Sequence, residues 1–168
     1  MTLQVSKEEL LDRIEKSAHD YEARYRGCSR CVMKSLLEHL KLGDGAVFRA
    51  ATPLAAGIAM RGETCGALIA GMMALGLVLA SEDIEDEPRW MEAMRASYRL
   101  WRRFEEEIGD TSCRQIQIVR LGRAYNLADI EEYEEFIKAG ACEVCSTVVG
   151  KAARLAAQMI LEQSEKMD

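Results

Sequence analysis

The residues best equipped for chemistry in this chain are its six cysteines, at positions 28, 31, 65, 113, 142 and 145. Two pairs have C-x-x-C spacing, Cys28-Ser-Arg-Cys31 and Cys142-Glu-Val-Cys145. Thiols so spaced can cycle as a dithiol/disulfide couple, supply two legs of a zinc site, or ligate an iron-sulfur cluster. The pairs lie nearly a chain length apart, so a four-sulfur site requires the first and last helical hairpins to pack side by side. Cys65 and Cys113 stand alone and could form a further pair or complete a larger cluster. Cysteine is also a small hydrophobe that is often merely buried, so structural use and a structural zinc site are the rival readings.

The elements that must position these thiols read as helices. Ser6 followed by Glu9 has the form of a capping box, and Leu10, Ile14, Ala18, Tyr21 and Tyr25 recur at helical spacing, predicting a helix over residues 6–26 that Gly27 ends. Cys31, Val32, Leu36, Leu37 and Leu40 predict a second, closed by Gly43-Asp44-Gly45. Residues 46–62, rich in Ala and Gly with Pro53 inside, read as a short helix and loop packed closely on a neighbour. Thr64 caps a third helix over 65–80, apolar on every side and expected at the centre. After an acidic linker, Pro88 suits the first turn of a long fourth helix through Met91, Met94, Tyr98, Trp101 and Ile108 to Gly109. Asp110, Thr111 and Ser112 can cap a fifth from Cys113 to about Gly122, and a sixth runs over 129–139 to Gly140. The last begins near Cys142 or Cys145, with Val148, Val149, Ala152, Leu155, Ala156, Met159 and Ile160 as its apolar stripe. No period-2 strand pattern and no linker long enough to divide the chain is present. The expected fold is all-α, a single domain over 1–168, built as a bundle of about six or seven helices around a central apolar helix.

On this map Cys31, Cys65, Cys113 and Cys145 each fall in the first turn of a helix. There the unpaired N–H groups and the positive end of the macrodipole favour thiolate over thiol. Thiolate is the form that attacks disulfides and binds metals, so these four are expected to be activated.

Charge and composition narrow the function classes. Lys+Arg 22 against Asp+Glu 28 gives a net charge of -6, and no basic stripe is gathered anywhere, so nucleic acid is not an expected partner. The opening MTLQVSKEELLD lacks the basic start and apolar middle of a secretory signal, and the reading is a small, soluble, cytoplasmic bacterial protein. The cytosol keeps ordinary thiols reduced, which argues against a disulfide scaffold. The uncharged run over 64–81 contains Gly66, Gly71 and Gly76 and reads as a buried helix rather than a membrane span. His19 and His39 lack ligating spacing and are assigned nothing. Met72, Met73, Met91 and Met94 read as pliable core, and the Arg99, Arg102, Arg103 group with Glu105, Glu106 and Glu107 as a solvated, paired face. There is neither a C-x-x-C-H haem motif nor a glycine-rich phosphate loop.

Taken in order, these motifs resemble the redox-active protein family named for its C-GCAxxG-C-C cysteine pattern. Cys31 with Val32 and Met33 looks like the first cysteine. Gly62-Glu63-Thr64-Cys65-Gly66-Ala67, running on into Met72-Met73-Ala74-Leu75-Gly76-Leu77, looks like the central motif. Cys113-Arg114, after Phe104 and Gly109, is similar to the third cysteine's setting. Cys145, followed by Val148-Val149 and Ala152-Ala153, looks like the fourth. The likeness spans about Gly27 to Ile160. It has departures: Ala70 stands where a glycine is expected, with Gly71 next, and the glycine-rich run before the core is thinned to Leu54-Ala55-Ala56-Gly57. Cys28 and Cys142 are additions to the four-cysteine pattern. The resemblance implies an all-helical fold and a redox role.

The leading expectation is therefore a cysteine-based redox protein in which Cys31, Cys65, Cys113 and Cys145 form the active constellation and Cys28 and Cys142 assist. All six are candidate metal ligands. The mechanism stays open between thiol/disulfide exchange and electron transfer through a thiolate-held iron-sulfur cluster. The alternative is a zinc-stapled helical binding module without redox chemistry, and a third reading is a plain helical scaffold. The expected partner is a redox protein or a small thiol/disulfide substrate, with neither nucleic acid nor membrane involved. The apolar helices leave room for a homodimer.

Overall fold

Ser6 opens the first helix as its sequence requires: its hydroxyl accepts the Glu9 N–H at 3.2 Å, and α1 (Lys7–Tyr25) turns Leu11, Ile14, Ala18 and Glu22 inward. The computed structural model describes residues 6–167. Beyond α1 the order is α2 (Cys28–Leu40), α3 (Gly45–Ala51), a 3-10 turn (Thr52–Leu54), α4 (Gly66–Leu79), α5 (Glu87–Ile108), α6 (Cys113–Leu121), α7 (Ile130–Lys138) and α8 (Ala141–Met167). The described residues thus form an all-α fold of eight helices with no strand. The helix beyond the expected number is α3, in the segment that reads as a short helix and loop; Asp44 caps it by accepting the Ala46 N–H at 2.8 Å.

Helices α1 and α8 run antiparallel along their length. Near one end Arg154 pairs with Glu8, Asp12 and Glu15; at the other, Glu22 shares a cavity wall with Cys142 and Cys145. Helix α4 packs against α2, α5 and α8, while α8 itself meets α1, α2, α4, α5, α6 and α7. The crossing at Gly71 is close, since a Cβ there would lie 2.9 Å from Leu100 Cδ2 and 3.2 Å from Ala156 Cβ. At 14 residues α4 is short of the roughly 20 that cross a bilayer. Helix α8 is long and apolar enough by length and composition, but 56 % of that apolar window is buried within the bundle. A second, smaller apolar cluster of Leu127, Phe136 and Ala141 sits apart from the main core.

Between the 3-10 turn and α4 the backbone winds the other way. Ala56, Ile58, Ala59 and Met60 have φ of 55°, 62°, 49° and 63°, and Gly57 between them has 69°. Each L-residue in this left-handed form costs roughly 1–2 kcal/mol, so the turn is strained. It persists because its amides are bonded, with Ala59 donating to Pro53 at 2.9 Å and Glu63 to Gly57 at 2.9 Å. At Gly57 only glycine fits, because a Cβ would lie 2.5 Å from the Glu63 nitrogen. The turn delivers residues 62–65 to the start of α6, where Thr64 and Ser112 form an isolated antiparallel bridge.

Relief or aggravation of this turn is measurable in urea unfolding. The exposed Ala59→Gly should gain about 1 kcal/mol of stability by removing left-handed strain. Gly57→Ala should lose about 2 kcal/mol or more. Equal stability of the parent and both variants would contradict the strained turn.

Candidate functional site

The bridge fixes the geometry of two thiols at once. Cys65 donates its backbone N–H to Thr111 at 2.8 Å and Cys113 donates to Glu63 at 2.7 Å. Each cysteine follows a bridge residue, so Cys65 becomes the N-cap of α4 and Cys113 the first residue of α6, behind its own cap Ser112. Elsewhere the cysteines that occupy the first turn differ from the sequence expectation. Cys28, not Cys31, opens α2, because Gly27 at φ 94° serves as its N-cap with only Arg26 between it and α1. Cys31 lies one turn on, its N–H already donated to Gly27 at 3.1 Å. At the other end α8 begins at Ala141, so Cys142 takes the first-turn place and Cys145 follows.

Five of the thiols, Cys28, Cys65, Cys113, Cys142 and Cys145, line one cavity of about 100 Å³. Ile116, Leu127, Phe136, Ile137, Val148 and Val149 supply apolar wall, and Glu22, Arg26, Gln117 and Tyr133 supply polar groups. Cys31 does not reach the cavity; it is buried, and its thiol donates to the Arg26 carbonyl at 3.5 Å. Gly66 explains how Cys28 and Cys65 come together, since a Cβ there would lie 2.8 Å from Cys28 Sγ and 2.5 Å from the Leu54 carbonyl oxygen. The Cys-Gly step is a spatial requirement: the glycine clears the path of a sulfur from another helix.

The expected activation is reversed at four positions. Desolvation pushes the Cys31 and Cys145 thiols up and takes Cys113 to about 11. Cys65 is raised well above the ordinary thiol range, first by its hydrogen-bonding interaction with Cys28 and then by burial. Cys28 goes the other way: the Cys65 side chain, aided by the Ala56 and Ser29 amides, lowers it against desolvation and the nearby Glu22 charge. Within the pair Cys28 is thereby the more acidic thiol and Cys65 the less acidic. At Cys113 the buried Gln117 donates to the sulfur at 3.4 Å and accepts the Tyr125 N–H at 2.9 Å.

Glu22 is the site residue that the sequence reading misses. It is 6 % exposed, lines the cavity, and its Oε2 has no hydrogen-bond partner among the described residues. Desolvation raises its pKa, opposed by Cys31, the Gly27 amide and the charges of Arg30 and Arg26. The signal was available, because Ile14, Ala18 and Glu22 are spaced four apart and put an acid on the buried stripe. Arg26 beside it has an unusual backbone, φ 56° and ψ 171°, and donates to the Tyr133 hydroxyl at 2.9 Å. No group of three or more His, Cys, Asp or Glu side chains stands close enough to hold one metal ion among the described residues.

The raised Glu22 carboxyl makes stability depend on pH. Native protein holds this proton more tightly than the unfolded chain, so its contribution is fully present below the ordinary glutamate value, about 4.3, and is lost as pH rises through the raised one. Glu22→Gln should therefore be more stable than the parent at neutral pH by about 1–3 kcal/mol, with the difference vanishing near pH 4 in urea titrations. A difference independent of pH would contradict this account.

The chain matches the family described as "Putative redox-active protein (C_GCAxxG_C_C)" over residues 27–159. That stretch contains all six cysteines and stops short of Glu22 and Arg26. No curated protein and no solved structure matches the chain. With most of its length and the whole cysteine constellation covered, the protein belongs to the C_GCAxxG_C_C family of redox-active proteins.

Proposed function

We propose that this protein carries out thiol/disulfide exchange, with Cys28 as the attacking thiolate and Cys65 as the resolving thiol. The observation that carries the reading is the meeting of Cys28 and Cys65 across Gly66 in the wall of one cavity, with Cys28 lowered and Cys65 raised by their mutual interaction. All six cysteines are free thiols in the structure, the reduced state that begins such a cycle, and a cytoplasmic setting would maintain it.

The reaction follows from the arrangement. The Cys28 thiolate attacks one sulfur of a substrate disulfide, forming a mixed disulfide and expelling the other half as a thiolate. Cys65 loses its proton and attacks the Cys28 sulfur, expelling the second half and closing a Cys28–Cys65 disulfide. Two electrons pass from the protein pair to the substrate, and a thiol donor must return them. The apolar wall suits a small organic disulfide or an apolar segment of a redox partner. Cys113, Cys142 and Cys145 are additional thiols at the cavity, and Cys31 supports Glu22 from behind. The free-thiol reading is preferred to the cluster and zinc readings because Cys28 and Cys65 engage each other directly, while no three of the described His, Cys, Asp or Glu side chains stand close enough to hold one metal ion.

Reduced protein mixed with a symmetrical aryl disulfide tests the assignment. The parent should release both aryl halves and yield a Cys28–Cys65 crosslink in peptide mapping. Cys65→Ser should stop at an aryl mixed disulfide on Cys28, and Cys28→Ser should slow the first release at least about tenfold. First modification at any other cysteine in the parent overturns the proposal.

A further inference from the structure

The dithiol cycle leaves Glu22 without a task, yet this carboxyl stands where the cycle runs. It is 6 % exposed, with one oxygen unpartnered among the described residues, and it shares the cavity wall with Cys28 and Cys65. Among the described lining residues it is the one carboxyl. Holding an ionisable group in such surroundings has a desolvation cost, and a small apolar chamber offers little water to carry protons in its place.

Resting on the dithiol reading above, we infer that Glu22 is the proton carrier of the cavity, protonating the first thiolate expelled from the substrate and then accepting the proton of Cys65. The steps balance. Cys28 thiolate and a disulfide give the mixed disulfide and a free thiolate, which takes the Glu22 proton and leaves as a thiol. The Glu22 carboxylate then takes the Cys65 proton, and the new Cys65 thiolate displaces the second half from the Cys28 sulfur. That half leaves as a thiolate, and Glu22 ends protonated as it began. One negative charge enters on Cys28 and one departs with the product.

The electrostatic surroundings suit both halves of the task. Arg26 at the end of α1 and Arg30 on α2 are the cations that face Glu22. The thiols that sense its charge are Cys28 and Cys31 on α2, Cys113 on α6 and Cys145 on α8. Tyr133 of α7 and Cys142 of α8 engage Arg26. Burial inclines Glu22 to keep its proton, the state in which the cycle starts, while the two arginines make the intermediate carboxylate tolerable.

Rapid mixing of full-length protein with a symmetrical alkyl disulfide, quenched in acid and read by mass, separates the steps, because the mixed disulfide on Cys28 reports attack and its conversion to the Cys28–Cys65 crosslink reports resolution. In Glu22→Gln the first phase should slow, since a basic alkyl thiolate then leaves without the Glu22 proton. The second should slow about 100-fold and climb with pH as Cys65 ionises unaided. Glu22→Asp, which retains a carboxyl, should keep the parent's pH profile at a reduced rate. A Glu22→Gln resolution phase that matches the parent in rate and pH profile, or an Asp variant with the Gln profile, overturns the inference. If the parent never forms the Cys28–Cys65 crosslink, the dithiol reading itself falls and takes this one with it; if the parent forms it and Glu22→Gln keeps pace, only the role of Glu22 falls.

Discussion

The site depends on a β-bridge that joins the approaches to two helices. Thr64 and Ser112 meet in antiparallel fashion, and the backbone bonds on either side clamp the starts of α4 and α6 together. Without that clamp two cysteines nearly fifty residues apart would have no fixed relation to each other. With it, Cys65 and Cys113 face one space, and Gly66 admits the Cys28 sulfur from a third helix. The left-handed turn over residues 56–60 serves the same end, because it returns the chain to the bridge at the right place and directs the Ala56 amide toward Cys28.

Two effects compete over the thiols, and their sizes decide the outcome. A helix N-terminus stabilises a nearby anion by typically 0.3–1 kcal/mol and up to ~2 in favourable sites. Full burial of an ionisable group shifts its pKa by as much as about 3–5 units, at roughly 1.4 kcal/mol each. Helix-start placement therefore does not activate Cys65 or Cys113, and both are pushed up. What lowers Cys28 is direct hydrogen bonding, led by Cys65, with amides of the strained turn and of its own helix adding to it. Specific donors succeed where a diffuse dipole does not.

Much of the fold could be read from the chain. The Ser6 cap, the Ser112 cap and the terminating Gly109 and Gly122 all act where their residue types indicate, since caps are local chemistry, though the Glu9 carboxylate turns to Arg13 rather than back to Ser6. The family motif was legible as well, because its residues sit in fixed order. The left-handed turn was not: Ala56, Ile58, Ala59 and Met60 carry no sign of positive φ, a conformation that glycine normally marks. Gly27 reads as a helix end and is also the next helix's cap, which moves the first-turn position from Cys31 to Cys28. Glu22 was hidden for a different reason. An acid on an apolar stripe breaks the local pattern, and such breaks are where function tends to lie, but only packing against α2 and α8 shows that it stays buried.

The small cluster of Leu127, Phe136 and Ala141 has one more implication. These side chains pack with Tyr125, Tyr133 and Ile137 and form an apolar centre separate from the main one, roofing the sulfurs with α7 between Gly122 and Gly140. Roof and bundle thus answer to different forces, because parting a few aromatic contacts requires far less than dissolving the whole interior. Substitutions in this cluster change the wall around the sulfurs without touching the backbone bonds that set their positions, so the lining of the cavity and the reactivity of its thiols can be varied through separate residues.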